Sequence, residues 1–349
     1  MMSGTDLRVG DWVEVKSKEE ILKTLDENSQ LEGLPFMPEM LQFCGQRFQV
    51  FKRAHKTCDM PSGLHARRMT NAVHLSGLRC DGRAHGGCDA GCLVFWKDAW
   101  LKRVGEEAPA PPAAPTPVRA NEPRCTEAGI AAGAYRTGGS GSSEEPTYVC
   151  QSTALRAATA PLPWWDPRQY LEDFVSGNVG LSRMLAALAF FLYQSVAEAG
   201  LGLGAAMRWL YDTLQRIRGG AVYPLRNGHI PRGAPTPSAK LDLEPGELVR
   251  VRDYSAILGT LNQDWHNRGM YFDSEMVPFC EGTYRVLRRV EKIIDDSTGK
   301  LMRLKNEAII LDDVLCEARW AKGRHFCSRS HYPYWREIWL ERAEKPLGR

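Results

Sequence analysis

The chain contains one pattern twice, and this limits its folding more than any other feature. Val9 to Cys80 matches the sequence 236 positions later without a gap. Gly10, Val13 and Val15 fall on Gly246, Val249 and Val251, while Phe36, Glu39, Met40, Phe43 and Cys44 fall on Phe272, Glu275, Met276, Phe279 and Cys280. After a three-residue insertion the offset becomes 239, and Cys88, Trp96, Trp100 and Leu101 meet Cys327, Trp335, Trp339 and Leu340, with Cys92 meeting His331. Self-similarity at a fixed offset is the mark of one folding unit used more than once.

Each copy opens with an alternating strand, GDWVEV or GELVRV, whose valines share a face. A short helix follows. Ser17 with Glu20 forms a capping box in copy one, and Asp253 caps the corresponding turn in copy two. The β-rich runs QRFQVFKRA and TYRVLRRVEKI come next, then AVHLSGLRC and EAIILDDVLC, then a Trp-rich strand, with DDSTGK as a hairpin turn in copy two. The expected fold class is α+β: two duplicated, small, strongly bent β-barrel-like modules, each with one helix and a Cys-rich metal site. The opening strand resembles those of SH3-like barrels over a few residues, too few to carry a function across. Trp96, Trp100, Trp335 and Trp339 read as core aromatics.

The same alignment singles out eight residues. Copy one offers Cys44, Cys80, Cys88 and Cys92, and copy two offers Cys280, Cys316, Cys327 and His331, the first pair being 36 positions apart in both. Packing gives no reason for a histidine to replace a cysteine, whereas zinc accepts either at a tetrahedral corner. Two zinc ions per chain are therefore expected, one on four cysteines and one on three cysteines and a histidine; iron is the alternative metal. His85 and His325 are alternative ligands. Glu39 and Glu275, in the repeated E-M-x-x-F-C, suggest a hydrogen bond supporting the site.

Between the copies the character of the chain changes. Residues 105–146 are rich in Pro, Ala, Gly and Ser and read as a disordered linker in which Cys125 has no structural task. Module one is then 1–104, a helical middle region 147–240, and module two 241–349. In the middle region Asp166, Pro167 and Gln169 start a short helix ending near Ser176-Gly177, docked on a neighbour by Trp164 and Trp165. The apolar stretch 181–214 reads as two buried helices broken near Gly200 to Gly204. Membrane association through it is the less favoured reading, since Gln194 and Glu198 are expensive within a bilayer. Cys150 reads as a buried small residue, and Cys58, aligned with Ile294, as a core position.

Composition limits function. A net charge of +3 on 349 residues announces no nucleic-acid partner, and between 241 and 349 the 18 Lys plus Arg balance the 18 Asp plus Glu. The opening residues show no basic start followed by an apolar run, so a cytoplasmic setting is expected, where ten cysteines serve as ligands or nucleophiles rather than disulfides. No P-loop, dinucleotide fingerprint, nucleophile elbow or HExxH occurs. The expected function is a zinc-stabilised tandem-module binding or scaffold protein, with a protein or small molecule as partner and no catalysis of its own. The alternative is a metal-dependent enzyme acting on a small molecule or peptide at a Cys-rich site or inter-module cleft.

Overall fold

The computed structural model describes residues 7–59, 65–105, 125–136, 145–199, 202–320 and 323–343. It is a mixed α and β protein built from small antiparallel sheets. Two compact units emerge: Met1–Gly180 with Ile294–Met302 and Phe326–Arg329, and Leu181–Ile293 with Arg303–His325 and Ser330–Arg349.

In the first unit, five strands lie in the spatial order Leu93–Lys97, Ala72–Arg79, Arg47–Arg53, Trp12–Val15, Leu101–Arg103. In the second unit four follow the same plan: Ile309–Leu311, Thr283–Arg289, Leu248–Val251, Leu340–Arg342. The register is shared residue for residue. Val13 faces Phe48 and Arg103, and Val249 faces Tyr284 and Arg342. A bulge falls between Val50 and Lys52 in one sheet and between Val286 and Arg288 in the other. The fifth strand of the second sheet shrinks to a single bridge, Ile309 to Trp335. Pro333 stands there where copy one has Val94, and a proline cannot donate to a ladder.

Apolar burial explains the shared register, because a one-residue slip would turn the valines outward. Val13, Val15, Val50 and Leu75 are buried in one core, and Val249, Val251, Val286 and Leu311 in the other. The four repeated tryptophans are fully buried. Phe36 meets Trp100 edge-on at 5.1 Å, and Phe272 meets Trp339 in the same way at 5.2 Å. Each of these indoles also donates to a threonine, Trp100 Nε1 to Thr24 Oγ1 at 3.0 Å and Trp339 Nε1 to Thr260 Oγ1 at 2.9 Å. The caps are those expected from sequence. Helix α1 (Lys18–Leu22) carries the Ser17–Glu20 capping box, and a matching helix, Tyr254–Leu258, begins where Asp253 accepts from Ala256 N.

The linker region departs from expectation. Residues 106–124 and 137–144 lie outside the described set, but within it a helix α2 (Glu127–Gly133) forms behind a Thr126 cap. Cys125 and Ile130 are buried in the first core, and Cys125 Sγ lies 3.1 Å from Ser29 Oγ. Two anchors are enough to order a short segment that its composition averages away. Helix α3 (Arg168–Val175) starts one residue later than expected, with Pro167 as its cap and Gln169 donating to the Pro163 carbonyl instead of closing a capping box, and is fixed by a buried pair, Lys56 Nζ to Asp173 Oδ2 at 2.6 Å. Trp164 and Trp165, expected to dock this helix, are more than half exposed.

Helices α4 (Leu181–Glu198) and α5 (Gly204–Arg218) break at the expected place, but each leaves a large apolar face uncovered. Among the described residues no helix is long and apolar enough to cross a membrane.

Candidate functional site

The loop after Ala72–Arg79 builds the site, and glycine makes it possible. Gly82, Gly86, Gly87 and Gly91 all have positive φ. A Cβ on Gly82 would lie 2.1 Å from the Cys88 carbonyl oxygen. Freed of that clash, the loop coils on itself: His85 N and Gly87 N donate to the Gly82 carbonyl, and Cys80 N donates to the Cys92 carbonyl at 2.9 Å. Cys80, His85, Cys88 and Cys92 are thereby drawn to one place.

Glu39 reaches this loop from the 3-10 turn Pro38–Phe43. Its Oε1 accepts from His85 Nδ1 at 2.6 Å and from Ala84 N at 3.0 Å, with Cys80 Sγ 3.9 Å away. Its Oε2 is buried with no hydrogen-bond partner. Burial raises the Glu39 carboxyl pKa, but the hydrogen bond and charge of His85 outweigh it and hold the group below its ordinary value. His85 Nε2 faces the Val149 carbonyl at 3.2 Å, so both imidazole nitrogens point at acceptors. Glu39, Cys80 and His85 offer ligand atoms within 4.8 Å of one another, the one such group among the described residues.

Beside this triad lies a cavity of about 40 Å³, walled by Cys80, Cys88, Cys92, Cys150, His85 and Arg329 among others. Cys92 Sγ is 3.7 Å from Ser152 Oγ. Arg329 is buried and held by Ser152 Oγ, by the Cys58 carbonyl at 3.2 Å and by Asp296 at 3.4 Å. Burial raises the thiol pKa of Cys80 and Cys88, and that of Cys150 to about 12. Left alone at neutral pH these thiols keep their protons, whereas a soft cation would displace them and bind the thiolates. The donor set, with the unpartnered Glu39 Oε2, suits such a cation.

Three of the four residues expected for the first site, Cys80, Cys88 and Cys92, line this cavity. Cys44 does not. It ends the 3-10 turn, where Phe43 is locked edge-on against Phe48 and Trp96, and the charges nearest its thiol are Lys18, Glu127 and Glu19. Cys150 also lines the cavity. Sequence offered no signal for it, since it has no counterpart in copy two.

The second set is distributed as follows. Cys316 N donates to the His331 carbonyl at 3.0 Å, repeating the backbone contact between Cys80 and Cys92. Cys280 ends its own 3-10 turn, as Cys44 does, and lines a separate hollow of about 710 Å³ with Arg208, Asp212, Arg226 and Tyr254. Cys327 belongs to the first unit, because Ser328 N and Oγ bind the Lys56 carbonyl. His325 Nδ1 lies 3.3 Å from the Arg319 carbonyl. The two repeated glutamates do share a task. Glu275 accepts from Trp320 N at 2.6 Å, the position equivalent to Ala84, and from Arg319 N at 2.8 Å.

No protein-family model matches this chain, and comparison with curated proteins finds no match either.

Proposed function

We propose that this chain is a non-catalytic binding or scaffold protein made of two SH3-like modules from one duplication, the first stapled by a single zinc ion held among Cys80, Cys88, Cys92 and Cys150. The observation that carries this reading is the four-cysteine cavity. At about 40 Å³ it has room for an ion or a few waters and is far smaller than a ligand pocket. Glu39 and His85, the groups nearest to acid–base chemistry, are spent on each other and on backbone atoms of the loop. A closed thiolate site of this kind supplies folding energy rather than catalysis. One metal per chain is proposed, because Cys280 lines a separate hollow. A small-molecule partner would fit the hollow beside Cys280, which is of ligand size.

Metal content of the full chain, purified without chelator, tests this. Near one zinc per chain is expected, falling towards zero in Cys92→Ser and Cys150→Ser and unchanged in Cys44→Ser and Cys280→Ser. Absence of metal from the unaltered protein sinks the proposal.

A further inference from the structure

Helix α4 is apolar over most of its surface, its polar residues being Ser182, Arg183, Gln194, Ser195 and Glu198, and a helix so apolar is normally buried on most sides. Here only one side is. Phe190 packs on Tyr211, Tyr223 and Trp320 with ring centres 5.6 to 6.0 Å apart. Leu188 and Leu192 stand two residues to either side of Phe190, about 200° round the helix, and are 55% and 57% exposed. With Leu181 and Leu185 they make a seam spaced 4, 3, 4.

Helix α5 repeats the pattern. From Leu203, at its N-cap, the seam runs through Met207, Leu210, Leu214 and Ile217, spaced 4, 3, 4, 3, and Ile217 is 79% exposed. The two helices hold each other through Tyr193 and Tyr211, 5.9 Å apart, and through the Tyr193 hydroxyl, which donates to the Met207 carbonyl.

We infer that α4 and α5 form half of a four-helix bundle whose other half is the same hairpin of a second copy of this chain. Spacing of 4 and 3 is the period at which side chains of one helix enter the holes of another. Two helices with open seams are completed by two more, and an identical hairpin supplies both in a closed twofold pairing. The size fits: eight large apolar side chains about half exposed amount to several hundred Å², close to the roughly 800 Å² that each partner contributes to a stable interface. The charge fits as well. The α4 seam carries no charge, so two copies of α4 meet without repulsion, and Arg183 is already paired with Glu317 at 2.9 Å, while the basic Arg216 and Arg218 stand at the end of α5.

Light scattering on the full chain at micromolar concentration tests this. The expected mass is twice 39.1 kDa, with Leu188→Glu/Leu192→Glu weakening the dimer at least ~30-fold while circular dichroism stays unchanged. Leu185→Arg alone repeats the test if the double variant loses its fold. Leu171→Glu, on the exposed side of α3, leaves the dimer intact. A monomeric unaltered protein, whether or not it binds anionic vesicles, overturns the inference. So does a dimer indifferent to the α4 changes or broken by Leu171→Glu.

Discussion

The two sheets share a register down to the position of a bulge, yet the loops that follow their third strands have little in common. Copy one closes its loop with four left-handed glycines over a nest of thiols; copy two is three residues longer, buries Trp320 and gives up Cys327 to the other unit. What the two sheets share is what the core dictates: strand pairing, the Phe–Trp contacts and a carboxylate that pins the loop. The thiols around the two loops differ in their surroundings.

Removing the shared core should hurt both copies alike. Trp100→Ala and Trp339→Ala should each destabilise their own unit by about 3–5 kcal/mol, read from denaturant unfolding. A much smaller loss in one would show that the matching ring contacts carry unequal loads. The carboxylates should then part. Glu39→Gln breaks a buried pair with His85 and should cost about 3 kcal/mol, whereas Glu275→Gln, at a carboxylate that accepts from the Arg319 and Trp320 N–H groups, should cost about 1 kcal/mol. Their pH responses differ in sign. The Glu39 carboxyl is held below its ordinary value, so its contribution is present at neutral pH and lost on acidification. Burial raises that of Glu275, so protonation there favours the fold as pH falls.

His74 offers a sharper contrast, because Ile310 stands at its place in copy two. Burial lowers the imidazole from 6.5 to about 3. Below pH 6.5 the unfolded chain takes the proton first, so stability is full above that value and drains towards pH 3. His74→Ile should abolish this acid loss, about 2 kcal/mol at pH 5, as followed by thermal melts between pH 4 and 7. The smallest effect concerns the residue matching Gly82, which is Ala318 at φ 50°. Ala318→Gly should gain up to about 1 kcal/mol, while Gly82→Ala should lose more, since its Cβ has nowhere to go.

Sequence revealed whatever was periodic or paired. The valine faces, the Ser17 and Asp253 caps and the buried tryptophans follow from local spacing, and the repeat extended each across the chain. The site was only half legible. Cys44 and Cys280 were retained together because both end the same 3-10 turn, a local role that alignment cannot tell from ligation. Cys150 and Cys125 have no counterpart, and their burial depends on tertiary surroundings, Cys150 sharing a cavity with Cys80, Cys88 and Cys92 and Cys125 meeting Ser29, rather than on any pattern along the chain.

The first unit also takes two of its walls from far along the chain. Tyr148 N donates to the Gly299 carbonyl, and the Lys56 carbonyl accepts from Ser328. During synthesis, residues 1–180 therefore emerge without their closing pieces and wait roughly 10–30 s for residue 329 at ordinary translation rates. The usual order, in which the leading part of a protein is finished before the rest is made, is reversed here. The nascent first unit remains open, its thiols within reach of metal, until residue 329 has been made.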